Sequence, residues 1–371
     1  MSTRIPLTSR QGDYEVVIEP GCLRSAAGFI GEACQARRVL VVADEQVLTP
    51  HAGVLLKSLQ PDGWEATITT LRAEEPLKRM EAVERVWEVA LAGGLDRHSA
   101  IIAVGGGLTG DVAGFAAATF LRGIDLIQVP TTLLAMVDAS IGGKTGVNLP
   151  IPDVPHVGKN LAGAFWPPKL VLVDAETLAT LPLREFRSGL AECVKHAIIS
   201  DSELMTLLER NAATLREGEC GGIEEVLVRS ITAKRHLVQE DEREAGSRML
   251  LNLGHTFAHA IEPIEALDLT HGEAVSIGLC AALACSERLG LCGADAVNRV
   301  RLLLENLGLP VSIARPEPVE DLFAAMRYDK KVEGDRLRLV LPTRDGACVR
   351  DDVASADIEA AWHSVMPPSS G

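Results

Sequence analysis

From Tyr14 to Val173 the chain alternates short β-rich runs with helical segments, an order that few architectures accommodate. Strands are expected at Tyr14–Ile18, Val39–Ala43, Thr67–Leu71, Ala100–Val104, Leu126–Val129 and Leu170–Val173, with helix-like stretches such as Met80–Ala92 between several of them. Strands alternating with helices predict an α/β layer structure around a largely parallel sheet. From Pro182 onward the pattern becomes long helical periodicity, over Glu185–Leu215, Glu224–Val238, Leu250–Ala266 and Gly272–Leu289. Two domains are therefore expected, an α/β domain over 1–180 and a mainly α-helical domain over 181–371. A chain of 371 residues is long enough to give each its own core.

One helical stretch carries polar residues where its core face should be. Arg248, Asn252, His255, His259 and Glu262 are spaced 4, 3, 4 and 3 apart, which puts all five on one face of a continuous helix. Met249, Leu250, Leu251, Leu253, Phe257, Ala260 and Ile261 surround them, so the stripe is not the solvated side of a surface helix. Buried polar groups are costly unless something satisfies them. A metal ion and a polar, anionic substrate are the occupants this stripe predicts.

Composition narrows the classes. The net charge of −15 opposes a nucleic-acid partner, so any anion site must be a local basic cluster. The longest nearly apolar run, Ala274–Cys285, is too short to span a bilayer, and MSTRIPLTSR lacks a signal-peptide core. No membrane association and a cytoplasmic location are expected. The eight cysteines are scattered without a CxxC pair, which reads as reduced thiols.

After the strand at Ala100–Val104 comes Gly105-Gly106-Gly107-Leu108-Thr109-Gly110-Asp111, which satisfies G-x-G-x-x-G between a strand and a helix. Glycines let the backbone approach a pyrophosphate, and the helix N-terminus favours its charge. The same pattern also suits a plain tight turn, and its place on a late strand does not fit the standard Rossmann order. Asp44, ending an earlier strand, is suited to a ribose diol, which favours NAD over its 2′-phosphorylated form. Gly142-Gly143-Lys144-Thr145 suggests a P-loop, but position 138, where the first glycine is required, is Asp138.

His255 and His259 are spaced like a zinc-binding H-E-x-x-H pair, yet Thr256 stands where a peptidase needs its glutamate. Glu192, His271 and one or both stripe histidines form a candidate three-ligand site with a coordination position left open. Cations near these ligands in the sequence pattern are Lys144, Lys159, Lys195, Lys234, Arg248 and the Lys330/Lys331 pair, a set suited to carboxylate and phosphate.

The blocks GGGLTGDVAGFAAATFLRG (105–123), VPTTLLAMVDASIGGKTGVN (129–148), GKNLAGAFWPP (158–168), SGLAECVKHAII (188–199), LNLGHTFAHAIE (251–262), HGEAVSIG (271–278) and DKKVEGDRLRLVL (329–341) closely resemble the 3-dehydroquinate synthases of the sugar-phosphate cyclase family. The resemblance implies a Rossmann-like nucleotide-binding domain followed by a helical one. It also implies an NAD- and divalent-metal-dependent lyase, with zinc or cobalt, that converts 3-deoxy-D-arabino-heptulosonate 7-phosphate to 3-dehydroquinate and phosphate in the shikimate pathway. Matched residue by residue, it gives Glu192, His255 and His271 as metal ligands, with His259 on the substrate side. Asp138, Lys144, Asn160, Lys195, Lys234, Arg248 and Asn252 match substrate-lining positions; Lys159, Lys330, Lys331 and Arg122 match anion contacts. Arg122 matches a residue that reaches a neighbouring subunit, which implies a homodimer. Asp44, Glu75, Lys78, Gly105, Gly106, Gly107, Asp111, Thr131 and Thr132 match the cofactor loop and its contacts. Glu262 matches no functional position and reads as a surface or packing residue.

The chain departs from the family between Asn148 and Gly158, where nine residues, LPIPDVPHV, replace about three and read as an extended loop leading to Lys159 and Asn160. Two other activities fit parts of the pattern. A 2-epi-5-epi-valiolone synthase is expected to lose part of the set Lys234, Arg248, Asn252 and His259, all present here. A metal-dependent polyol dehydrogenase of the glycerol dehydrogenase type has no need of the basic cluster.

Overall fold

The structure is a computed structural model that describes residues 2–151, 157–244, 246–328 and 337–367. Its contacts divide into two compact units, Met1–Leu181 with Gly222–Arg235, and Pro182–Gly221 with His236–Gly371. The segment Gly222–Arg235, expected with the helical half, clusters with the first unit and carries Lys234 with it.

The first unit is built on seven strands: β1 (Thr3–Leu7), β2 (Tyr14–Ile18), β3 (Arg38–Asp44), β4 (Glu65–Leu71), β5 (Ala100–Gly105), β6 (Asp125–Pro130) and, after a separate hairpin, Leu170–Val173. That hairpin is β7 (Lys144–Pro150) with β8 (Val157–Phe165), so Leu170–Val173 becomes β9. The sheet order is β1-β2-β9-β6-β5-β3-β4, parallel throughout except for the antiparallel β1–β2 pair. Side chains alternate across each strand. Val39, Val41 and Ala43 of β3 therefore face the helices Ala26–Ala33 and Gly53–Leu59, while Leu40 and Val42 face Met80–Ala92 and Gly107–Thr119. Both faces are covered, which is why these strands read as unbroken apolar runs. All six expected strands fall within observed ones.

Chain order places the ligand crevice. From β3 the chain first moves outward to β4 and then returns to the other side of β3 with β5. Such a switch point leaves a gap outside the carboxyl ends of the two strands. Here those ends are Asp44 and Gly105.

In the second unit the helix His271–Arg288 is buried along most of its length and packs against Leu183–Ser200, His255–Ile261 and Ser355–Ser364. Phe257 and Trp362 meet edge to face at 5.2 Å in this core. The hairpin β10 (Leu339–Thr343) and β11 (Gly346–Arg350) completes it. The expected helix Glu185–Leu215 is interrupted at Asp201, whose carboxylate accepts from the Leu204 backbone N–H and caps Ser202–Arg210, and again at Asn211.

The polar stripe requires a correction. Leu250–Ala266 is not one helix: Ser247–Asn252 is a 3₁₀ turn, and an α-helix starts only at His255. Gly254 intervenes at φ +78°, where a Cβ would lie 2.9 Å from the Leu279 backbone nitrogen. Arg248 and Asn252 thus belong to a different element from His255 and His259. No described helix is long and apolar enough to cross a membrane, and the eight cysteines form no disulfide.

Candidate active site

The second unit holds a candidate metal-donor set. Glu192, fully buried on Leu183–Ser200, meets His255, the first residue of its helix, and His271, which opens the next long helix. Nε2 of His255 and of His271 lie 3.5 and 3.4 Å from Glu192 Oε1. Ligands about 2.1 Å from a tetrahedral ion are about 3.4 Å apart, so the spacing fits a zinc-like centre. The outward ring nitrogens are also engaged: His255 Nδ1 contacts the Leu253 carbonyl at 3.1 Å, and His271 Nδ1 contacts Glu262 Oε1 at 3.4 Å. With a metal bound, an N–H at each Nδ1 would leave each Nε2 lone pair free to coordinate. Glu262, read from the sequence as a surface or packing residue, is thus in contact with a candidate ligand.

The local field is strong. Burial, followed by repulsion from Lys195, pushes the His255 imidazole well down, to about 3, and keeps it neutral. Burial also lowers His271, but contacts to Glu192 and Glu262 outweigh it and raise the net value. Lys195, 1% exposed, is ion-paired with Glu192 one turn away. The His259 ring lies 5.6 Å from that of His255, edge to face, off the donor triangle. Arg248 is buried and donates to the Glu242 carbonyl at 2.6 Å, while Asn252 donates to Glu244 at 2.9 Å. Thr270 and Glu273 form a capping box that starts the helix at His271, and Arg184 binds the Glu273 carboxylate.

In the first unit the Gly105–Asp111 loop opens the helix Gly107–Thr119. A Cβ on Gly105 would meet Asp44 Cβ at 3.2 Å, and one on Gly107 would meet Ala139 at 2.9 Å. Packing excludes a side chain at both positions and keeps the backbone of this turn bare, as a pyrophosphate cradle requires. Thr109 Oγ1 is fully buried and has no hydrogen-bond partner among the described residues. The Thr131 backbone N–H donates to Gly105 O, and Thr132 Oγ1 accepts from the Ala135 N–H, fixing the neighbouring turn. Asp44 accepts from the Gln46 N–H, and burial raises its carboxyl.

Several of the remaining expected positions are hydrogen-bonded to one another. Lys78 Nζ reaches Asp111 Oδ2 at 2.5 Å and Asn160 Oδ1 at 2.6 Å, joining two positions expected at the cofactor to one expected at the substrate. Burial raises the Asp111 carboxyl, with Lys78 opposing it. Glu75 Oε1 accepts from Asn148 Nδ2 at 2.8 Å, and Asn148 Oδ1 accepts from the Asn160 N–H at 2.8 Å. Asn148 closes a matched block yet received no role from the sequence. Lys234 donates to the Asp138 carbonyl at 2.5 Å and to its carboxylate. Lys144, Lys159 and Arg122 are exposed, with Arg122 in a run of positive φ from Leu121 to Gly123. The segment expected as an extended loop instead has strand at both ends, in β7 and β8; its residues 152–156 lie outside the described residues. Lys330 and Lys331 lie outside them as well.

Residues 68–188 match the family described as 3-dehydroquinate synthase N-terminal, and 189–332 match 3-dehydroquinate synthase C-terminal. A 3-dehydroquinate synthase from a Synechocystis species is 40% identical over 361 residues, 96% of this chain and 98% of that protein. Among solved structures, a 2-epi-5-epi-valiolone synthase from Streptomyces hygroscopicus with NAD+ and Zn2+ bound is 32% identical with a TM-score of 0.85, covering 96% of this chain and 98% of its own. A 2-deoxy-scyllo-inosose synthase complexed with carbaglucose-6-phosphate, NAD+ and Co2+ is 27% identical with a TM-score of 0.86, covering 99% and 100%. Glycerol dehydrogenases align at 16% identity and a TM-score of about 0.65, which shows a shared fold alone. The adjoining family matches and the near-full-length relatives place this chain in the 3-dehydroquinate synthase family.

Proposed function

We infer that the chain converts 3-deoxy-D-arabino-heptulosonate 7-phosphate to 3-dehydroquinate and phosphate, as its family relatives' name describes. The observation that carries the reading is the Glu192–His255–His271 donor triangle, with its 3.4 and 3.5 Å separations, in a chain that also has the Gly105–Asp111 cradle. Glu192, His255 and His271 hold a divalent metal, zinc or cobalt, and Asp44, Glu75, Lys78, Gly105–Gly107, Asp111, Thr131 and Thr132 hold NAD. When bound, NAD supplies reversible hydride acceptance and the metal supplies Lewis acidity toward substrate oxygens.

The chain's own residues bind, orient and move protons around that chemistry. Lys144, Lys159 and Arg122 supply positive charge for the phosphate, and Arg248, Asn252 and Lys195 orient the carboxylate and hydroxyls. His259, beside His255 but outside the donor triangle, is the candidate to hold a proton at the substrate. Asp138 and Lys234 form a paired acid and base on the first unit. Holding one intermediate in place while these groups act in turn is a large part of the rate enhancement. Arg122 is assigned to a partner's site in a homodimer, supported by the nearby exposed apolar residue Leu121 and by exposed Leu161 and Phe165. A cytoplasmic setting is part of the same reading, supported by eight cysteines of which none is in a disulfide.

The 32% identity to a valiolone synthase makes a neutral heptulose phosphate the competing substrate. The test is phosphate release from the heptulosonate phosphate and from sedoheptulose 7-phosphate, each with NAD and with or without chelator. Chelator-sensitive release from the first alone is expected. Release from the second alone, or net NADH accumulation with an alcohol, would overturn the reading.

A further inference from the structure

Asn148, 2% exposed, lies at the centre of a polar ring that runs from buried Lys78 to the exposed Glu75 and Asn160. The β7–β8 register jumps from Val147↔Ala162 to Leu149↔Gly158, so Asn148 alone stands opposite Lys159, Asn160 and Leu161. Bulges of this kind re-aim side chains next to active sites. Within it Asn160 takes φ +55°, a left-handed conformation that asparagine tolerates but does not prefer. The Asn160 N–H donates to Asn148 Oδ1 at 2.8 Å. On its other side Asn148 Nδ2 donates to Glu75 Oε1 at 2.8 Å, and the Asn148 N–H donates to the Lys78 carbonyl at 2.8 Å. Lys78 closes the ring through Asn160 Oδ1 and Asp111 Oδ2.

We propose that Asn148 is a positioning residue whose one amide sets two ligand-facing groups: its oxygen holds Asn160 in the left-handed conformation, and its nitrogen orients the Glu75 carboxylate. The proposal rests on the assignment of Glu75 to NAD and Asn160 to substrate made above. A side-chain amide offers an acceptor and a donor on separate atoms without charge. Aspartate keeps the acceptor for Asn160 but sets a second carboxylate against Glu75. In Asn148→Asp with Glu75→Gln, carboxylate and amide change places and the contact is restored.

The experiment is calorimetric NAD titration of the full chain and of Asn148→Asp, Glu75→Gln and the double variant, with KM for the heptulosonate phosphate measured alongside. Asn148→Asp is expected to weaken NAD binding about tenfold in the native background and less than about twofold in the Glu75→Gln background, with KM nearly unchanged. Asn148→Ala, which removes both contacts, is expected to raise KM about tenfold as well. An equal loss of NAD affinity in both backgrounds would overturn the proposal, since general damage to the fold acts equally in each. So would an unmoved KM in Asn148→Ala. Failure of the unsubstituted protein to bind NAD would overturn the cofactor assignment and this proposal with it, and is visible before any variant is made.

Discussion

Glu262 follows His255 by seven residues, which returns it to the same helix face, and its carboxylate reaches His271 Nδ1 at 3.4 Å. A carboxylate behind a ligating histidine fixes the ring and raises its basicity, and losing such a partner costs about 10–100-fold in metal affinity. Glu262→Ala is expected to weaken zinc binding by about that factor, with Glu262→Gln less affected because its amide oxygen still accepts. Competition against a chromophoric chelator measures both. Lys195 makes a different prediction. It and Glu192 are both buried, and removing one member of such a pair leaves an uncompensated charge costing about 3–5 kcal/mol. Lys195→Met should destabilise the chelator-treated protein by about that amount and the zinc-loaded protein by less, because the ion then offsets the Glu192 charge. Urea unfolding with and without zinc reads the difference; equal losses in both would refute the coupling. The sequence exposed the histidines and Glu192 because their residue types are chemically distinctive. It left Glu262 without a role because His271 lies on the next long helix, a pairing that helical spacing does not reveal.

At the scale of elements, Gly254 separates two pieces that periodicity joins. Its φ of +78° ends the Ser247–Asn252 turn and lets His255 start a new helix against the backbone of Gly278 and Leu279. Gly254→Ala must pay for a left-handed alanine and displace that backbone, so a loss of about 2 kcal/mol or more is expected, read as a lower unfolding midpoint in urea. A neutral substitution would mean that the 3₁₀–α break is not enforced there. The same reasoning shows which elements were legible. The central strands were readable because both sheet faces are covered and their sequences are continuously apolar. The β7–β8 hairpin was not, because KTGVNLP and GKNLAGAF carry glycines and amides in place of alternation, and their irregular pairing serves Asn148 and Asn160. The glycine cradle was visible as a motif, but its place beside Asp44 follows from strand order, which no local pattern encodes.

For the whole molecule, a charge of −15 has the wrong sign for an anionic substrate. Screening confines that field, with a Debye length of about 8 Å at physiological salt, so the local lysines and arginines decide binding. The division of the chain is the other property of this scale. A linear cut near residue 181 is what the change of periodicity suggests, yet Gly222–Arg235 clusters with the first unit. That segment contributes Lys234, which neutralises Asp138, and the buried Ile223, Val226, Leu227 and Ile231. A fragment of residues 1–181 lacks them all. It is left with Asp138 without its cation and without the apolar residues that this segment buries. The fragment is expected to bind hydrophobic dye and to lose cooperative unfolding, with the full chain under the same conditions as the reference. Adding residues 222–235 back through a flexible Gly/Ser linker should restore a cooperative transition. A 1–181 fragment that unfolds cooperatively and binds NAD as tightly as the full chain would show that the first unit does not depend on the excursion.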